Sequence, residues 1–161
     1  MTRLVGLDAL IVALGAAIFG AIALGVGARR KRSDLLSAGY SALFTTAALV
    51  TIAALAMIYA LVTHDFSVGY VAQVGSRQTP LFFTVISLWG ALEGSILLWA
   101  VVLLLYAAAV IYQTRGRDGT MVPYAGMTLL LIGIFFLILL VGPANPFTLV
   151  TPIPADGPGP N

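Results

Sequence analysis

Four apolar runs, each long enough to cross a bilayer, restrict this chain to a helical membrane fold. They extend from about 7 to 27, 38 to 63, 81 to 113 and 122 to 141. A hydrocarbon core about 30 Å thick is crossed by roughly 20 residues of helix at 1.5 Å per residue. No water is present there to satisfy backbone N–H and C=O groups, so a spanning segment must bond internally. Composition agrees: 60% of the 161 residues are hydrophobic and only 9% are charged, against about 25% charged in soluble domains. Such a chain cannot cover its surface with polar groups in water. At this length it forms one unit.

The same composition excludes several function classes. There is no cysteine, which removes disulfides, thiolate metal sites and cysteine catalysis. The net charge is +2. No basic face interleaved with aromatics exists, so no nucleic-acid partner is expected. The Ser/His/Asp set, the paired-histidine zinc motif and the glycine-rich phosphate loops are missing too. No catalytic and no metal-binding residues are assigned.

The third run is too long for one straight crossing. It reads as a spanning helix over 90–112 preceded by an interfacial segment over 81–88. Pro80 suits a helix's first turn, where its missing N–H has no partner to lose. Gly90 and Gly94 allow a bend. The expected fold is therefore all-α and integral to the membrane. Its spanning helices cover about 7–27, 38–63, 90–112 and 122–141, and 142–161 form an extended, Pro-rich external tail. Pro143, Pro146, Pro152, Pro154, Pro158 and Pro160 block helix in that tail. More polypeptide is expected to follow this tail, in the same chain or as a separate one.

Orientation follows from the cations. Arg29, Arg30, Lys31 and Arg32 separate the first two runs, and Arg115 and Arg117 separate the last two. Arg3 and Arg77 lie on the opposite side. The positive-inside rule makes the two basic loops cytoplasmic and both termini external. The first run exceeds a signal peptide's apolar stretch, and its basic cluster follows it. It is expected to stay as a helix.

The chemistry-bearing stretch is Trp89-Gly-Ala-Leu-Glu-Gly-Ser-Ile-Leu-Leu-Trp99. A carboxylate at mid-bilayer costs about 2.5–3.5 kcal/mol on translocon-insertion scales. Glu93 therefore either anchors a partner helix, a cofactor or a proton path, or sits wet at the interface. Trp89 suits an interfacial anchor. Trp99, roughly 15 Å further along a helix, suits packing against a helix or a ring-shaped ligand. Gly90/Gly94 and Ala91/Ser95 are small-xxx-small pairs that let helix backbones approach, as are Ala16 and Gly20. His64, the single histidine, reads as a solvated loop residue. On these residues alone, a small subunit of a proton- or ion-translocating complex and a packing or assembly subunit both remain open.

Asp65-Phe66-Ser-Val-Gly-Tyr70-Val-Ala72, followed by the Trp89–Trp99 stretch with Trp89, Gly90, Glu93, Gly94, Ser95 and Trp99, resembles the N-terminal portion of the CcmF/NrfE haem lyases. These are cytochrome c maturation proteins. Asn145-Pro-Phe-Thr148 and Asp156-Gly157 look like that family as well. The resemblance covers nearly the whole chain. It implies part of a haem lyase that attaches haem to apocytochrome c through thioether bonds, on the outer face of the bacterial inner membrane. It also implies a haem-delivering chaperone, apocytochrome c and the remaining part of the lyase as partners. The family's haem b ligands and Trp-rich haem-handling segment lie beyond the point matching Asn161. No cofactor-binding residue is carried over, and this chain alone is expected to bind no haem.

Overall fold

The computed structural model describes residues 1–114 and 121–159; Arg115, Arg117, Pro160 and Asn161 lie outside them. Six α-helices follow in order: α1 Thr2–Arg30, α2 Ser33–Val62, α3 Gly69–Val74, α4 Leu81–Ile86, α5 Leu92–Thr114 and α6 Met121–Val141. A 3₁₀ turn, Ser87–Trp89, sits between α4 and α5. Four of these, α1, α2, α5 and α6, are long and apolar enough to cross a membrane. The protein is a multi-pass membrane protein.

The long helices outrun the apolar stretches that announce them. Backbone hydrogen bonding does not stop where the hydrocarbon stops, so α1 continues from Leu7 back to Thr2 and from Gly27 on to Arg30. Its C-terminus closes tightly. Lys31 adopts a left-handed conformation (φ 52°), and its N–H and that of Arg32 both reach the Gly27 carbonyl. This is a Schellman-type ending that satisfies an otherwise orphaned acceptor. Arg32 then pairs with Asp34 in the first turn of α2.

The four long helices pack in a ring: α1 on α2, α2 on α5, α5 on α6, and α6 back on α1. Small residues set the α1–α2 distance. A Cβ added at Gly20 would lie 3.0 Å from the Ala42 Cβ and 3.4 Å from the Gly39 carbonyl oxygen. Lipid tails are as apolar as leucine, so close backbone approach and dispersion supply this association. Helix α5 buries Leu97, Ala100, Leu104, Ala107 and Ile111, and α6 buries Leu130, Gly133, Leu137 and Leu140. Both sets alternate steps of three and four, the spacing of a seam between helices. Leu104 fills the space left by Gly133. Phe19, Leu55, Trp99 and Phe135 point outward and stay exposed, as lipid-facing residues do.

The third apolar run is broken where a bend was expected. Leu81–Ile86 forms α4, the chain tightens through Ser87–Trp89, and α5 begins at Leu92. Gly90 therefore lies in the break and not in the spanning helix.

Residues 142–159 contain no helix, yet they are not loose. They run as a strap across the 64–79 segment. Val68 and Leu149 form an antiparallel bridge. The Gly69 N–H donates to the Thr148 carbonyl at 2.8 Å, and the Val150 N–H to that of Ser67 at 3.2 Å. Further along, the Gly159 N–H reaches the Gly75 carbonyl at 3.1 Å. Phe147 is completely buried against the Gly6 face of α1. Asp156 closes the strap. One carboxylate oxygen accepts the Arg77 N–H at 2.9 Å and the Gly157 N–H at 2.9 Å.

Two outcomes follow. Phe147→Ala leaves an unfilled site between strap and bundle and should cost about 3 kcal/mol, read as a lowered melting temperature of the detergent-solubilised chain. The Asp156 carboxyl is held below the ordinary carboxylate range, chiefly by the Arg77 N–H and against partial desolvation. A depressed pKa means stability that is present above the unfolded value and lost as pH falls through the folded one. The strap should resist pepsin until the pH drops below the usual carboxylate range. In Asp156→Ala it should be cleaved readily across the pepsin range.

Candidate functional site

The site is built where the 64–80 segment meets the broken helix. Helix α2 ends with His64 in a left-handed conformation (φ 53°). The chain then turns on Asp65, whose side chain accepts the Ser67 hydroxyl at 2.5 Å and its N–H at 3.3 Å. That turn drives Phe66 into the core, where it is buried, with the Arg77 guanidinium 5.8 Å from its ring centre. It also starts α3 at Gly69, whose missing side chain leaves room for Thr148 of the strap.

Helix α3 delivers Tyr70. Its ring is buried, and its hydroxyl lies 2.8 Å from the carbonyl oxygens of both Ser87 and Leu88. The single phenolic hydrogen is shared between these acceptors. The same oxygen accepts the Ala91 N–H at 3.3 Å. A helix break leaves carbonyls orphaned on one side and N–H groups on the other. One hydroxyl serves both sides of this break. Burial pushes the Tyr70 hydroxyl up to about 12; the Ala91 N–H opposes this, and the Glu93 charge adds to it.

Gly94 makes this contact possible. A Cβ there would overlap the Leu88 carbonyl and the Tyr70 hydroxyl. The Gly90/Gly94 spacing, read as a helix–helix contact, thus has a different role: Gly94 admits a tyrosine ring, and Gly90 is exposed in the turn. Ser95 donates its hydroxyl to the Trp89 carbonyl at 3.0 Å, and Ser87 donates to that of Thr84 at 2.7 Å. These two serines tie up the remaining ends of the break.

The side chains of three motif residues take no part in this scaffolding. Trp89 is 53% and Trp99 63% exposed. Glu93 sits in the first turn of α5, where the helix dipole favours a carboxylate. Its Oε2 is nevertheless buried and has no hydrogen-bond partner among the described residues. Buried charged oxygens are ordinarily paired. The protein therefore presents one unmet acceptor and two uncovered indoles.

Known proteins resemble the chain along nearly its whole length. No family model matches the chain. It is 34% identical over 157 residues to the cytochrome c-type biogenesis protein NrfE of Haemophilus influenzae, a match that covers 94% of this chain and 24% of that protein. It is 33% identical to the cytochrome c-type biogenesis protein CcmF of Pseudomonas aeruginosa over 92% of this chain and 23% of that one. The solved structure of a cytochrome c heme lyase CcmF superposes with a TM-score of 0.85 at 29% identity, covering 91% of this chain and 25% of that one. The chain belongs to the CcmF/NrfE family. It spans about a quarter of the length of these relatives.

As a CcmF/NrfE member, the chain brings Tyr70, Gly94 and Ser95 together at the break. It places Asp65 and Phe66 in the supporting turn and leaves Trp89, Glu93 and Trp99 facing outward or unpartnered. Ser87 and Phe147 matter as much as the motif residues. Neither is distinguished by its own type, because each acts through a contact distant in sequence. Among the described residues no three His, Cys, Asp or Glu side chains cluster. His64 is half-buried, and its Nε2 is shielded from water without a hydrogen-bond partner among the described residues.

Tyr70→Phe removes the hydroxyl that serves the break and strands the Ala91 N–H and two carbonyls. The expected cost is about 1–3 kcal/mol, measured as a shift in thermal or denaturant midpoint in detergent. Gly94→Ala should cost at least as much in the same assay, because the added methyl occupies the Tyr70 position.

Proposed function

We propose that this chain is the N-terminal four-helix unit of a cytochrome c haem lyase in the bacterial inner membrane. In this reading the Arg29–Arg32 turn is cytoplasmic, and both termini and the strap face the periplasm. The complete lyase attaches haem to apocytochrome c on that face, with a chaperone delivering the haem. The unit acts as a scaffold. Its rim, built from α3, α4, the helix break and the strap, holds the outer surface on which the remaining polypeptide and apocytochrome c assemble. The haem b of the complete lyase takes its ligands outside this chain.

Similarity running through nearly the whole chain, to proteins about four times longer, carries this reading. The unpartnered Glu93 oxygen supports it, because an assembly of which this chain is a quarter has donors left to meet it. Trp89 and Trp99 flank Glu93 in sequence and suit burial under the same covering segment.

The test is Glu93→Gln in the complete lyase. Losing a hydrogen bond to a charged group costs about 1.5–3 kcal/mol, or roughly tenfold or more in association. Holocytochrome c yield and recovery of this unit with the rest of the lyase should fall together. Wild-type values for both would defeat the proposal.

A further inference from the structure

A second feature lies at the other end of the bundle, on the seam between α1 and α6. There a groove of about 360 Å³ opens to the surface. On α1 it is lined by Ala21, Gly25 and Arg29, spaced four residues apart, and on α6 by Tyr124, Met127 and Leu131. Eight residues of helix make it about 12 Å long, and it runs along the helix axes. Gly25 keeps it open: a Cβ there would come within 2.9 Å of the Met127 sulfur.

The groove is polar at one end only. Arg29 and the Tyr124 phenol stand at the mouth, on the level of the Arg29–Arg32 turn. Ala21 and Leu131 line the deep end, further into the spanning segments. Asp34, the one acidic residue of that turn, is already paired with Arg32. Arg29 has no acidic partner among the described residues, and Arg30 and Lys31 lie beside it in the same turn. An occupant must therefore be elongated, apolar along its length, and anionic at the end that lies at the membrane surface.

We propose that this groove is a binding site for one anionic phospholipid, with an acyl chain between α1 and α6 and the phosphate at Arg29. A basic residue at a helix end attracts an anionic headgroup by simple charge. The concave seam adds an apolar contact that a flat lipid-facing surface lacks. The site is distinct from the rim around Tyr70 and Glu93 and does not depend on the haem-lyase reading.

Native mass spectrometry of the full chain in detergent tests this with two probes, phosphatidylglycerol and phosphatidylcholine. Wild-type protein should retain one phosphatidylglycerol at least about threefold in preference to phosphatidylcholine. Arg29→Gln should abolish the preference while leaving chain binding, and Gly25→Leu, which fills the groove, should remove the retained lipid of both kinds. Arg77→Gln, at the other end of the bundle, should change nothing. Equal retention of the two lipids by the wild type would overturn the proposal, as would adducts indifferent to Gly25→Leu. Competition by glycerol 3-phosphate alone would point to a free phosphate site and overturn the lipid assignment. The chain has no native cysteine, so Ile22→Cys gives a single reporter in the groove. Its efficient cross-linking to another polypeptide in membranes would show a protein seated there and also reject the lipid.

Discussion

A spanning helix cannot be interrupted near lipid unless something replaces the hydrogen bonds lost at the interruption. In this protein that something is the hydroxyl of Tyr70. Placed 2.8 Å from two carbonyl oxygens and 3.3 Å from an N–H, it bonds to both sides of the break between the 3₁₀ turn and α5. The rest of the rim depends on the position of this one oxygen. It requires Gly94 to be bare. It requires α3 to be aimed inward, which the Asp65 turn and the bridge between Val68 and Leu149 accomplish. It requires the strap to stay down, which Phe147 and Asp156 ensure. A break that would otherwise be a weak point becomes a rigid corner that turns the chain from the interface into the bundle.

The motif around Glu93 then separates into two parts by its contacts. Gly94 is buried against Tyr70, and the half-buried Ser95 donates its hydroxyl to the Trp89 carbonyl. Trp89 and Trp99 look outward, and the Glu93 carboxylate is half used: it lies favourably at the α5 N-terminus, yet one oxygen is shielded from water without a hydrogen bond. A carboxylate tolerated in that state within an isolated soluble domain would cost stability with no return. The relatives that the chain matches are about four times its length. The corner fixes where that acceptor points.

The bundle itself was legible from sequence because a lipid solvent simplifies the reading. Four apolar runs of spanning length admit little besides four helices, and Pro80 with Gly90 marked the interruption in the third. Helix ends were less legible, since Thr2–Leu7 and Ser33–Ala38 are helical for backbone reasons that hydropathy does not register. The rim was legible only as a resemblance. Asp65, Phe66, Tyr70, Gly94 and Ser95 stood out as a pattern, but their division of labour rests on contacts across 17 to 21 residues between Tyr70 and the break. It rests also on pairings about 80 residues apart between the 64–79 segment and the strap. The strap read only as an extended tail, because prolines announce the lack of helix and say nothing about what an extended chain lies against. What it lies against is set by Phe147, whose burial against α1 is a contact about 140 residues distant in sequence.

The two ends of the bundle solve the problem of terminating a helix pair differently. Between α1 and α2, two residues suffice; a left-handed Lys31 and a shared Gly27 carbonyl close the turn, and the cations around it need only water or an anionic surface. At the opposite end the chain uses α3, α4, a 3₁₀ turn and the strap, and nearly every connection there is a hydrogen bond between backbone groups or from a side chain to backbone. Such bonds fix geometry more tightly than exposed ion pairs, which are screened and contribute little. At this end they fix the 3₁₀ turn that carries Trp89 against the start of α5, where Glu93 sits.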